Sequence, residues 1–84
     1  MNAIVKPATF IDFFKVKLAS CTLNGLTAIL KDETGYECGR LETILKTDST
    51  ELTWKDLHHL PYGIYTLVLS QGEDEISLKM VKRI

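Results

Sequence analysis

From Gly63 to Lys82 apolar and polar side chains alternate with a period of two, interrupted once by Gln71-Gly72-Glu73-Asp74. Successive side chains of an extended chain point to opposite faces, so this spacing builds a strand with one apolar face. The first arm, Ile64-Tyr65-Thr66-Leu67-Val68-Leu69, is rich in strand-forming residues. Tyr65, Leu67 and Leu69 share one face; Ile64, Thr66 and Val68 share the other. In the second arm Ile76, Leu78 and Met80 alternate with Ser77, Lys79 and Val81. Two such arms around a short glycine-containing turn predict an antiparallel hairpin. A lone hairpin is marginally stable in water, so the rest of the chain must supply a second layer for its apolar face.

The same period recurs upstream. Phe14-Lys15-Val16-Lys17-Leu18 places three apolar residues on one face and both lysines in water. Phe10, Ile11 and Phe13 make the start of that segment more apolar, as if buried on both sides or bulged. Cys21 to Gly25 ends in Asn-Gly, a strong turn signal. Leu26 to Lys31 is the next strand, with Leu26, Ala28 and Leu30 on one face. Asp32-Glu33-Thr34-Gly35 makes a turn, and Tyr36 to Leu45 returns, interrupted near Gly39 by a bulge or a close approach. Thr47-Asp48-Ser49 reads as a loop. Glu51 to Trp54 is a short strand with Leu52 and Trp54 on one side. Lys55 to Leu60 is expected to form one helical turn, stopped by Pro61. Six to seven short strands with regular turns predict an all-β fold, an immunoglobulin-like antiparallel sandwich. Its 84 residues make a single domain, 1–84, with residues 1–8 expected to be flexible.

Composition narrows the function. Ten basic and eleven acidic residues give a net charge of −1, without the basic surplus that nucleic-acid binding calls for. No apolar run reaches the roughly 18 residues of a membrane-spanning helix. The first residues lack a signal-peptide pattern, so the expected location is cytoplasmic as written, or the cell surface or exterior if the chain is a piece of a longer exported protein. Two cysteines, Cys21 and Cys38, do not make a disulfide framework, and whether they pair depends on geometry.

Several constellations invite chemistry, and each has a plainer account. His58-His59 are adjacent on an irregular segment and lack zinc-ligand spacing. Cys38 with either histidine would need a positioning that nothing in the sequence provides. Glu73-Asp74-Glu75 lacks the spacing of a calcium loop and reads as a solvated turn that blunts a sheet edge. Trp54, Tyr62 and Tyr65 could form an aromatic platform, but Trp54 alternates with Leu52 as a core residue would. Tyr62, beside Pro61, is the expected exposed ring. Neither an enzyme nor a cofactor or metal site is expected.

The order of features resembles the C-terminal domain that marks proteins for the type IX secretion system of Bacteroidetes bacteria. The resemblance runs from Pro7 to the end. It rests on Pro7 followed by the alternating strand at Phe14, on Ile29 to Gly35 with its Asp-x-x-Gly ending, and above all on Leu57, Leu60, Gly63, Ile64 and Tyr65. The terminal Lys79, Val81 and Lys82 complete it. Such domains usually carry Asn-Pro near their start, where this chain has Lys6-Pro7. The resemblance implies a non-catalytic sorting or docking module. Its recognition residues would be Gly63, Tyr65, Lys79, Val81 and Lys82, with the terminal lysines displayed on one face for secretion machinery or another protein partner. The alternative is a stand-alone cytoplasmic interaction or structural domain that pairs its last strand with a partner's edge. Sequence leaves the oligomeric state open.

Overall fold

The computed structural model describes residues 3–18, 25–44 and 51–83. Among these residues there are eight strands and no helix. They are β1 (Ala3–Lys6), β2 (Thr9–Phe10), β3 (Phe14–Leu18), β4 (Gly25–Lys31), β5 (Glu37–Ile44), β6 (Glu51–Trp54), β7 (Gly63–Gln71) and β8 (Asp74–Lys82). They form a three-stranded sheet, β1-β3-β6, and a five-stranded sheet, β2-β8-β7-β4-β5. The all-β sandwich expected from the alternation is the fold observed. The Cys21–Asn24 part of the first turn and the loop at Thr47–Ser49 lie outside the described residues.

Alternation decides which faces meet. Phe14, Val16 and Leu18 of β3 are buried and both intervening lysines are exposed. Leu26, Ala28 and Leu30 of β4 and Tyr65, Leu67 and Leu69 of β7 turn inward in the same way. Together with Trp54, Phe10 and Met80 they make one core. Leu57, from the loop after β6, plugs it, with its N–H donating to the Asp12 carbonyl at 2.9 Å.

Four expectations are corrected. Residues 1–8, not read as containing a strand, hold one: Ala3–Lys6 pairs antiparallel with β3 and packs Ala3 and Val5 against the core. Pro7 then ends the ladder, because it has no N–H to donate, and the chain crosses to the other sheet. There Thr9–Phe10 lies parallel to the end of β8. The apolar run around Phe10 is therefore neither a doubly buried strand nor a bulge. The chain crosses back between the sheets from Phe10 to Phe14, which leaves Ile11 and Phe13 exposed. The helical turn expected over Lys55–Leu60 is a single β-turn closed by Leu60 N–H to Leu57 O at 3.1 Å. Asp56, held at φ +62°, is incompatible with a right-handed helix. The fourth correction concerns the terminal lysines and is described with the site.

Gly39 is both a bulge neighbour and a close approach. Leu30 pairs with Gly39 and Lys31 with Glu37, so Cys38 is the extra residue of a β-bulge. A Cβ on Gly39 would lie 2.9 Å from Cζ2 of Trp54, so the indole occupies the space a side chain would need.

Candidate functional site

The last hairpin, β7–β8, holds the residues that the resemblance singles out, and the structure divides them into two groups. Gly63, Tyr65 and Lys82 gather at one end, where the chain enters β7. Lys79 and Val81 face outward along β8.

At the entry to β7 Gly63 takes φ +149°, a region open essentially to glycine. A Cβ there would also come within 3.2 Å of Glu33 Oε1. That carboxylate accepts the Ile64 N–H at 3.2 Å and ties the β4–β5 turn to the first residue of β7 after the glycine. The turn is itself locked by Asp32. Its Oδ1 accepts from Thr34 N–H at 2.9 Å, Thr34 Oγ1 at 2.6 Å and Tyr36 N–H at 3.0 Å. The Thr34 hydroxyl above all holds the Asp32 carboxyl below its usual range; desolvation opposes it, and the backbone donors of Tyr36, Thr34 and Gly35 add to the lowering. Tyr65 puts its ring in the core, edge-on to Phe10 at 6.2 Å, and its hydroxyl donates to the Pro61 carbonyl at 2.6 Å. Burial, and then the nearby Cys38, Asp32 and Glu33, push the Tyr65 phenol up from its ordinary value. These contacts fix the corner at which β7 begins.

The terminal lysines do not share a face. Lys79 is exposed on the outer face of the large sheet, opposite Thr66. Lys82 is on the inner row and only 3% exposed, with its Nζ donating to the Arg83 carbonyl at 2.6 Å. A separation of three residues in a strand puts side chains on opposite faces, so this division was already encoded in their spacing. Val81 is exposed on the outer face beside Ile64.

The edges of the large sheet differ. On one side β5 is shielded by its bulge and by Arg40, which bonds Glu37 at 2.8 Å and reaches Glu42 at 3.5 Å. On the other side, among the described residues, β8 is covered at its end: Val81 N–H donates to Ala8 O at 2.9 Å and Arg83 N–H to Phe10 O at 2.8 Å. Backbone groups alternate sides along an antiparallel strand. Hence the odd-numbered residues of β8 aim their N–H and C=O away from β7. Among the described residues no strand pairs with Glu75, Ser77 or Lys79 on that side. The β7–β8 register is unbroken, so this edge is free of bulges, and it contains no proline.

The other candidate groups are dispersed. Tyr62 is 72% exposed, whereas Trp54 and Tyr65 are buried, so the three aromatics form no common platform. His58 and His59 are exposed and meet each other edge-on at 5.9 Å. Among the described residues no three metal-ligating side chains cluster. Cys38 is a free, half-buried thiol facing the Tyr36 carbonyl at 3.6 Å. Burial and then the Asp32 charge push its pKa up, the reverse of what a nucleophilic thiolate needs. Cys21 lies outside the described residues. Glu33 was not foreseen as a corner residue, since only the fold brings it to Ile64. Nor was the open stretch of β8, which depends on where β1 leaves for the other sheet. Compared with known proteins, the chain matches no family model and no curated sequence.

Proposed function

We propose that this chain is a non-catalytic, immunoglobulin-like β-sandwich module that docks to another protein along its last strand. The observation that carries this reading is the bulge-free stretch Glu75–Lys79 of β8, whose outer side pairs with no strand among the described residues. Such an edge is a template for strand addition: main-chain hydrogen bonds supply affinity and alternate side chains supply selectivity. The immunoglobulin-like assignment is supported by the connectivity. The hairpins β4–β5 and β7–β8 lie in one sheet, while β3 and β6 lie side by side in the other. It is also supported by Tyr65, whose hydroxyl reaches back four residues at the start of β7 in the manner of the tyrosine corner of such domains.

In the form implied by the resemblance, the partner is type IX secretion machinery and the module serves proteins bound for the cell surface or exterior. The stand-alone form uses the same edge in the cytoplasm. Gly63, Tyr65 and Lys82 act by building the corner and the core-facing row, while Lys79 and Val81 are available to a partner. The test is export of a reporter carrying a Sec signal in front and this chain behind, in a bacterium with that system. The wild-type fusion should reach the exterior and Ser77→Pro should stay inside. Ser77→Pro removes an outward N–H and leaves the β7 ladder intact. Retention of a folded wild-type fusion would dispose of the sorting form, and equal export of Ser77→Pro would dispose of docking through this edge.

A further inference from the structure

We infer that the open edge of β8 is self-complementary and pairs with the same edge of a second copy, across a two-fold axis at Ser77. The inference rests on the docking reading above and names its partner.

The argument starts from the window. Its outward backbone groups belong to Glu75, Ser77 and Lys79, bounded by the Gly72-Glu73 turn at one end and by β2 at the other. Ser77 is the middle residue. An antiparallel copy can fill the whole window only when the two midpoints coincide, because any other register drives the partner strand into β2 or past the turn. With Ser77 opposite itself, Glu75 faces the second copy's Lys79 and Lys79 faces its Glu75. These three facing pairs are the ones whose N–H and C=O groups point outward, so each can exchange two hydrogen bonds. A two-fold contact must match each residue to its complement in this way, and the charge order along this strand does so.

The side chains agree on both faces. On the outer face the Glu75–Lys79 pairs meet no competing charge from β7, where their neighbours are Ser70 and Thr66. Opposite charges directly across an antiparallel pair are favourable and like charges are not. On the inner face Ile76 meets the second copy's Leu78, and each is only half-buried within one chain. The edge of β1 lies on this same side of the sandwich, because only Pro7 and Ala8 separate β1 from β2. Ala3 and Val5 of β1, also half-buried, pack against the same core. Pairing would join two five-stranded sheets into one continuous sheet and continue the apolar layer across the axis.

The contact is small, so its dissociation constant should be on the order of 10–100 μM, in the range of weak interfaces. Sedimentation equilibrium of the whole chain at rising concentration reads it directly. The wild type should pass from monomer to dimer. Lys79→Glu places like charges in both symmetry-related pairs and should weaken association about tenfold. Glu75→Lys combined with Lys79→Glu restores opposite pairs and should return association to near the wild-type value. A partner of different sequence has no reason to accept that swap. Ser77→Pro should abolish the dimer, with far-UV circular dichroism and Trp54 fluorescence showing that it folds. A wild type that stays monomeric at about 1 mM, far above the range of weak interfaces, would overturn self-pairing. So would a swapped double variant as weak as Lys79→Glu, or a dimer indifferent to Ser77→Pro. If the wild type is monomeric while Ser77→Pro still blocks reporter export, self-pairing falls and the docking reading stands.

Discussion

Tyr65 shows how a residue that looks like a recognition signature can earn its place through the fold. Its hydroxyl bonds Pro61 O at 2.6 Å and its ring is buried, so Tyr65→Phe removes one hydrogen bond and little packing. The expected loss is about 1 kcal/mol, seen as a lower urea midpoint at unchanged m-value. Burial favours the neutral phenol, so its folded pKa lies above its unfolded one. The stabilisation is complete below the unfolded value of about 10 and is lost as pH rises from there through the folded value. Tyr65→Phe should therefore flatten the alkaline fall in stability; an identical slope in both proteins would assign that fall to another group. Gly39→Ala tests a different kind of necessity. With Trp54 Cζ2 2.9 Å from the new Cβ, the indole or the strand must shift, at about 1–3 kcal/mol, and the Trp54 emission should move with it. Lys82 behaves as a core-row residue whose ammonium escapes to the Arg83 carbonyl. Lys82→Met keeps the stem and drops the charge, so stability should change by less than about 1 kcal/mol. A large loss would mean that the Arg83 contact anchors the end of β8.

Four strands of the large sheet, β4, β5, β7 and β8, were readable because each carries its own signal. The faces of β4 and β7 follow from alternation, and the β7–β8 turn follows from Gly72. Asp32 and Gly35 likewise announced a turn, and the Asp32 carboxylate closes it by accepting three donors. Its lowered pKa means that this lock is present above the ordinary carboxyl range and is released as pH falls through the folded value. The amide resonances of Thr34 and Tyr36 should therefore titrate together, below the usual aspartate midpoint; a midpoint at or above it would show the carboxylate unbound. β1 and β2 were hidden for opposite reasons. β1 has only four residues ahead of a proline, and its partner is set by tertiary pairing. β2 has two residues in a parallel pair, which no local pattern encodes. The candidate docking edge was legible only in part: the last strand could be read, but its open side depends on β1 leaving at Pro7. A proline at Ile76 would break the β7 ladder, which its N–H serves, whereas one at Ser77 removes only an N–H that points outward.

At the scale of the whole molecule, an 84-residue chain buries only roughly 65% of the surface it exposes when unfolded, so neither sheet has a core to spare. The thinnest dimension, 17 Å, matches two sheets stacked about 10 Å apart with their side chains interleaved. The single tryptophan reports on that joint. Trp54 sits on β6 of the small sheet, packs on Phe14 at 5.7 Å and presses its far edge on Gly39 of the large sheet. Leu67, fully buried in the middle of β7, belongs to the opposite layer of the same cluster. If the two sheets share one core, damage at Leu67 must be felt at Trp54. Leu67→Ala should remove about 2–5 kcal/mol, a large share of the about 4–13 kcal/mol expected for a chain of this length. Urea unfolding followed by Trp54 fluorescence and by far-UV circular dichroism should then give one coincident transition, shifted to the same lower midpoint in both signals. Were the fluorescence midpoint to stay near the wild-type value while the circular dichroism midpoint fell, the sheets would be unfolding separately, and the corner and edge would not belong to a single cooperative unit.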